Sequence, residues 1–290
     1  MGEVITIMNM KGGVGKTTVA MHIAGMVARL HFENGRKRVL IIDYDPQFNL
    51  SQSLLPANQY FALEKEKKTT LSILIDDDTK LNPYVLQVPG NHTPPSVKDL
   101  SHSVYGPLKS GAVLDIVPST LDLMYVALGR SDKQVKPMEE RFHKFIEECK
   151  QLYDLIFIDC HPAGSLFTKT SLVNSDHVLI PVMPQRYAVR GIGLMQRFIT
   201  AKQVGGNLPG VHILFNATPR TGVTAQEAEI RAHPEFGALC MVNTLKRYKV
   251  FGEPEGGRGF VWVSSKPYST EAYRNLVFVC REFLSRIGIK

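Results

Sequence analysis

The sequence contains no CxxC pair, no run of about 18 apolar residues, no internal repeat and no low-complexity tract. Its four cysteines, Cys149, Cys160, Cys240 and Cys280, form no clustered framework, which excludes a disulfide-stapled scaffold; buried thiols in a reducing cytosol are expected instead. The lack of a long apolar run excludes a membrane-spanning helix. No basic stretch precedes the first apolar strand pattern, so no signal peptide is expected. What is present is ordinary for a globular chain: 290 residues, 44% hydrophobic and 21% charged.

Charge is unevenly placed. The net charge is +7, yet residues 1–185 hold 19 basic and 20 acidic side chains, and residues 186–290 hold 15 and 7. The excess of +8 in the last third suits a polyanion partner such as nucleic acid, or a merely soluble basic face.

Short apolar, β-branched runs recur at Val4–Met8, Arg38–Asp43, Val113–Pro118, Asp154–Asp159, His177–Val182, Val211–Asn216 and Leu239–Asn243. Helical stripes lie between and after them, at Thr17–Leu30, Met138–Gln151, Val189–Val204 and Thr270–Ile287. The alternation predicts an α/β fold with a doubly wound, mostly parallel sheet of about seven strands flanked by helices. Residues 1–290 read as one domain without a linker. The stretch from about 56 to 111 reads as an irregular insertion, one helix near Thr70–Ile75 and a long surface loop.

Between the first strand and helix stands Met10-Lys11-Gly12-Gly13-Val14-Gly15-Lys16-Thr17-Thr18. The glycines let the backbone curl until its N–H groups point at phosphate oxygens, and the helix start adds its positive dipole end. Lys16 is placed to reach the β/γ-phosphates of ATP, and Thr17 to hold Mg²⁺. Met10 occupies the position where the ordinary phosphate-loop pattern has its first glycine, and a second lysine, Lys11, stands beside it.

That loop resembles the deviant-Walker ATPases of the ParA/MinD type, P-loop NTPases that include nitrogenase iron protein. The resemblance implies that Lys11 crosses an ATP-dependent homodimer to the partner's phosphates, a cation at developing charge in the manner of an arginine finger. The segment Asp43-Tyr44-Asp45-Pro46-Gln47 looks specifically like ParA, implying that Asp45 orients the attacking water and Asp43 supports Mg²⁺ through water. Asp154–Pro162 reads as the strand that delivers Asp159 to the sheet's carboxyl edge beside Mg²⁺. The family has two prolines after this Asp-x pair; here His161 replaces the first.

By the same resemblance Asn216 and Arg247 contact adenine, Arg247 within Leu245-Lys246-Arg247, where Lys246 stands for the family's proline. Asn216 reads equally as a turn cap.

The resemblance implies a cytoplasmic, nucleoid-associated ATPase that binds non-specific DNA and segregates plasmid or chromosome cargo, or positions a protein assembly. It also implies a ParB-like activator or cargo adaptor and weak intrinsic turnover. Candidate DNA contacts are Arg186, Arg190, Arg197, Lys202, Arg220, Lys246 and Lys249, with Arg231 nearby. MinD-like membrane cycling is the alternative, but the charges along Thr270–Ile287 nearly cancel, so stable membrane insertion is not expected. An electron-transfer reductase needs a ligand-cysteine pair, which Cys149 and Cys160 do not match. A metabolic ligase on the same fold has no small-molecule site to point to.

Overall fold

The computed structural model describes residues 1–290 except 31, 33–34, 36, 77–80, 83–86, 106–112, 128–131, 162–165, 202–207, 253–258 and 290. In chain order the elements are β1 (Glu3–Ile7), α1 (Lys16–Arg29), β2 (Arg38–Tyr44), α2 (Asn49–Leu54), α3 (Ala57–Lys65), α4 (Leu71–Leu74), α5 (Val97–Leu100), β3 (His102–Tyr105), β4 (Val113–Val117) and α6 (Leu123–Ala127). They continue as α7 (Asp132–Leu152), β5 (Leu155–Cys160), α8 (Leu166–Val173), β6 (His177–Val182), α9 (Ala188–Ala201), β7 (Gly210–Thr218), α10 (Ala225–Arg231), β8 (Leu245–Lys246) and α11 (Ser269–Arg286).

Among the described residues the strands form one eight-stranded sheet in the order β3-β4-β2-β5-β1-β6-β7-β8. Every neighbouring pair is parallel except β3 with β4. The central strands are apolar on both faces because helices cover both. Alternate side chains go to opposite cores: Leu40, Ile42, Ile156 and Ile158 to one, Val39, Ile41, Leu155 and Phe157 to the other. The cores lie under different helices, with Phe142 and Phe145 of α7 in the first and Ile23 of α1 and Leu276 of α11 in the second. The four cysteines are buried and free.

Two expectations need correction. The stretch 56–111 is not one helix and a surface loop, since its described residues include α3, α4, α5 and the edge strand β3. Leu71, Ile73, Leu74, Val97 and Leu100 are core residues. The buried Arg141 of α7 fastens this region: its guanidinium donates to the carbonyls of Ser72, Ile73, Ile75, Asn91 and Thr93. Helices of four residues are too short to show a period in sequence.

The expected strand at Leu239–Asn243 is the second correction. Gly237–Leu239 is a 3-10 turn, and only Cys240 bridges to β7, at Ile213. The Glu282 carboxylate accepts the N–H groups of Val242 and Asn243, both at 2.6 Å, which draws that backbone off the ladder. The strand forms later, at Leu245–Lys246.

Candidate nucleotide site

The site is assembled by register. Asp43 of β2 and Asp159 of β5 are direct cross-strand partners, and Asp159 is level with Ile7 of β1, where the phosphate loop begins. Three parallel strands thus deliver the loop and two carboxylates to one stretch of the carboxyl edge, where open α/β sheets bind ligands.

Gly13 and Gly15 hold positive φ, 72° and 84°, and Gly15 at the start of α1 offers no side-chain acceptor to the helix's first N–H groups. Asn216 of β7 donates from Nδ2 to the Val14 carbonyl at 2.8 Å. A Cβ on Gly15 would lie 2.3 Å from that nitrogen, so glycine is required there by space as well as by φ. The Asn216 Oδ1 accepts the N–H of the next residue in β7, Ala217. Asn216 therefore lies against the phosphate loop from within a strand.

Lys16 is only 8% exposed, and burial lowers its pKa against the opposing pull of Asp159 and Asp45. Burial pushes the Asp43 carboxyl up to about 7, with the nearby Asp45 charge adding to the rise. Two hydrogen bonds from Ser51 work against it. The Asp159 carboxyl rises well above the usual range, first from burial and then from Asp43 beside it, while a Thr17 hydrogen bond opposes the shift. Its Oδ2 is buried and has no hydrogen-bond partner.

Two buried carboxylates side by side with an orphaned oxygen fit a hard divalent cation. No group of three His, Cys, Asp or Glu side chains that could hold a metal occurs among the described residues. Asp43 and Asp159 offer two carboxylates, the number with which Mg²⁺ is bound alongside waters and substrate phosphates.

Asp45 is half-buried; its Oδ1 accepts the Gln47 N–H at 2.9 Å and its carbonyl accepts the Ser119 hydroxyl at 2.7 Å. Lys11 is exposed and donates from Nζ to Gln185 at 3.0 Å, while its N–H is held by Asn9. Gly12 is exposed, and Thr18 is half-buried in the first turn of α1. Arg247 is exposed, with its N–H on the Thr218 carbonyl. His161 is half-buried, and its Nδ1 has no hydrogen-bond partner.

Of the basic candidates, Arg186, Arg190, Arg197, Arg220 and Lys249 are exposed and Lys246 is half-buried. Arg220 lies over the Tyr268 ring at 4.5 Å and Arg186 over Tyr187 at 5.5 Å. Lys202 falls outside the described residues. Arg231 is committed internally: it pairs with Glu227, donates to the Met241 and Val242 carbonyls and lies over Phe215.

Sequence reasoning passed over Ser51, Ser119, Asn9 and Gln185. Ser119 had a signal of the kind used for Asp43 and Asp159, a polar residue at the carboxyl end of an apolar strand. Ser51 is one of several polar residues in the short helix α2, beside Asn49, Gln52 and Ser53, and nothing local sets it apart. A cleft of about 510 Å³ in the 56–111 region, which includes Lys67, Asp76, Pro95 and Arg141 in its lining, shares no residue with the phosphate loop.

A family model, AAA domain, matches residues 2–207. The chain belongs to the ParA/MinD-type ATPases, beside the Soj and ParA partition proteins. It is 27% identical over 291 residues to the chromosome-partitioning ATPase Soj of Treponema pallidum, covering 99% of each chain. To the sporulation initiation inhibitor protein Soj of Bacillus subtilis it is 32% identical over 196 residues, 66% of this chain and 62% of that one. An uncharacterized Methanocaldococcus jannaschii protein is 31% identical over 66% of this chain and 63% of its own length.

The chain thus spans less than two thirds of those last two relatives. Among solved structures, a Borrelia burgdorferi putative plasmid partition protein bound to AMPPNP superposes with a TM-score of 0.68 at 21% identity, covering 99% and 100% of the two chains. The pNOB8 ParA bound to nonspecific DNA superposes at 0.65 and 20%, covering 99% of each. As a ParA/MinD-type ATPase the chain carries the phosphate loop, Asp43, Asp45 and Asp159 within the matched 2–207. Asn216 and Arg247 lie beyond it.

Proposed function

We propose that this chain is a partition ATPase that dimerises on ATP, binds nucleoid DNA without sequence preference and segregates plasmid or chromosome cargo. A ParB-like partner stimulates its otherwise weak hydrolysis. The observation that carries this reading is the exposure of Arg186, Arg190, Arg197, Arg220 and Lys249 in the basic last third, outside the phosphate site. The pNOB8 relative bound to nonspecific DNA supports it.

The phosphate loop and Lys16 bind the ATP phosphates, and Lys11 reaches the partner's nucleotide across the dimer. Thr17, Asp159 and Asp43 are the residues to hold Mg²⁺, which neutralises charge on the phosphate oxygens when bound. Asp45 orients the water that attacks the γ-phosphorus as the bond to ADP breaks. Asn216 and Arg247 flank the base. A membrane-cycling role is disfavoured because α11 already buries Leu276, Val279, Phe283 and Leu284 in the core. No helix among the described residues is long and apolar enough to cross a membrane.

The test is duplex binding with ATP, ADP and no nucleotide across a salt series. Binding should require ATP, ignore sequence and fall steeply between about 50 and 200 mM salt. Replacing Arg190 and Arg197 together should weaken it uniformly and flatten that slope. Asp45→Ala should remain an ATP-bound dimer of about twice the 32.4 kDa monomer on sizing. Wild-type protein that ignores DNA at low salt yet binds anionic vesicles would overturn the proposal.

A further inference from the structure

Asp43 is held by a relay that runs through α2 to the residues just past β4. Ser51, fully buried in α2, gives both of its donors to one carboxylate oxygen: its N–H reaches Asp43 Oδ2 at 2.8 Å and its hydroxyl reaches the same atom at 2.6 Å. The Ser51 hydroxyl oxygen in turn accepts the N–H of Ser119, also fully buried, at 2.8 Å. A backbone N–H can only donate, so this bond fixes the direction of the next one. Ser51 accepts from Ser119, and its single hydroxyl hydrogen goes to Asp43.

The Ser119 side chain makes a second tie, donating to the Asp45 carbonyl. Its own carbonyl accepts the Tyr60 hydroxyl at 3.2 Å. Ser119, just past β4, thus joins the loop after β2 to α2 and α3.

The consequence falls on the two oxygens of Asp43. Oδ2 receives both Ser51 donors, whereas among the described residues Oδ1 carries only a long 3.3 Å bond from the Asp45 N–H. We propose that Ser51, oriented by Ser119, is a positioning residue that immobilises Asp43 through Oδ2 and leaves Oδ1 for the Mg²⁺ shell. Outer hydrogen bonds of this kind orient metal-side carboxylates and are worth about 10–100-fold in metal affinity. The inference rests on the reading of Asp43 as a metal-side carboxylate, and the measurements separate the two.

The experiment is fluorescent ADP binding titrated with Mg²⁺ and repeated in EDTA. Ser51→Ala should bind nucleotide as wild type does in EDTA but need about tenfold more Mg²⁺ for half of the metal-dependent gain. Ser51→Thr, which keeps the hydroxyl, should return to within about twofold of wild type on that same scale. Ser53→Ala, whose hydroxyl donates only to the Asn49 carbonyl of the same helix, should leave the Mg²⁺ dependence unchanged. Asp43→Ala should lose the metal-dependent gain, and adding Ser51→Ala to it should change nothing further, because the serine acts only through that carboxylate.

If Ser51→Ala titrates like wild type while Asp43→Ala loses the gain, the positioning role falls and the metal assignment stands. If Asp43→Ala keeps the full gain, both fall. Should Ser51→Ala not fold, Ser51→Cys makes the same comparison with a weak donor of similar size.

Discussion

At the amino edge of the sheet, carboxylates are spent on holding the chain together. Asp154 accepts the Arg38 N–H at 2.7 Å, Asp176 accepts the Val4 N–H at 2.9 Å and pairs with Lys150, and Glu3 lies 3.7 Å from His177. At the carboxyl edge the same residue type is buried with fewer donors than it can use. Asp159 keeps an oxygen without a partner, and Asp43 leans on Ser51 while facing a like charge. A buried, under-supplied charge costs stability unless something else supplies the missing counter-charge. One edge is satisfied by the protein, and the other is left to be satisfied by a ligand.

The largest effect expected from breaking this contrast is Lys16→Ala. No other side chain replaces its charge at the β/γ-phosphates, so ATP affinity should fall below detection by calorimetry. The melting temperature without nucleotide should not fall, since burial already disfavours that ammonium.

Next come two substitutions of opposite sign. Asp159→Asn keeps the shape and removes the buried charge, so the nucleotide-free protein should melt higher, by about 2–4 °C per kcal/mol recovered, while Mg²⁺-dependent binding is lost. Asp176→Ala strips the shared acceptor from the Val4 N–H and Lys150 and should melt lower, by a few degrees for the ~1–2 kcal/mol those bonds contribute. Scanning calorimetry reads both, and a shared sign would erase the contrast between the edges.

The smallest effect is on pH dependence. Burial lowers His22 and His212 to about 4, with the neighbouring His177 adding to the shift at His212. Their folded-state values lie below the unfolded one of about 6.5, so their contribution is complete above 6.5 and is lost as pH falls toward 4. Asp43 acts in the other direction: raised to about 7, it disfavours the folded state increasingly as pH climbs from about 4 to 7. Asp43→Asn should therefore steepen the loss of melting temperature between pH 7 and 5.

The phosphate loop was legible because its chemistry is local: glycines, two lysines and two threonines within nine residues, between a strand and a helix. Asp43 and Asp159 were legible as acids ending apolar runs, and the order of strands and helices gave the fold class. What was illegible depended on contacts distant in sequence. Glu282 draws Val242 and Asn243 off the sheet from 40 and 39 residues away, and Arg141 organises carbonyls 48 to 69 residues before it. Ser51 acquires its role only because Ser119, 68 residues on, supplies an N–H. Short edge elements such as β3 and β8 carry too few residues for periodicity to register.

The position of β5 has a consequence for the chain as it is synthesised. β1, which leads into the phosphate loop, and β2, which carries Asp43, never pair with each other, because β5 is inserted between them. Until residues 155–160 have emerged from the ribosome, β1 has neither of its neighbours and β2 has only β4. The phosphate loop and Asp43 are thus made first and assembled late, in the slow manner of non-local parallel pairing. A chain stalled before β5 carries the whole phosphate loop in its sequence, but the strand that leads into it has no neighbour to pair with.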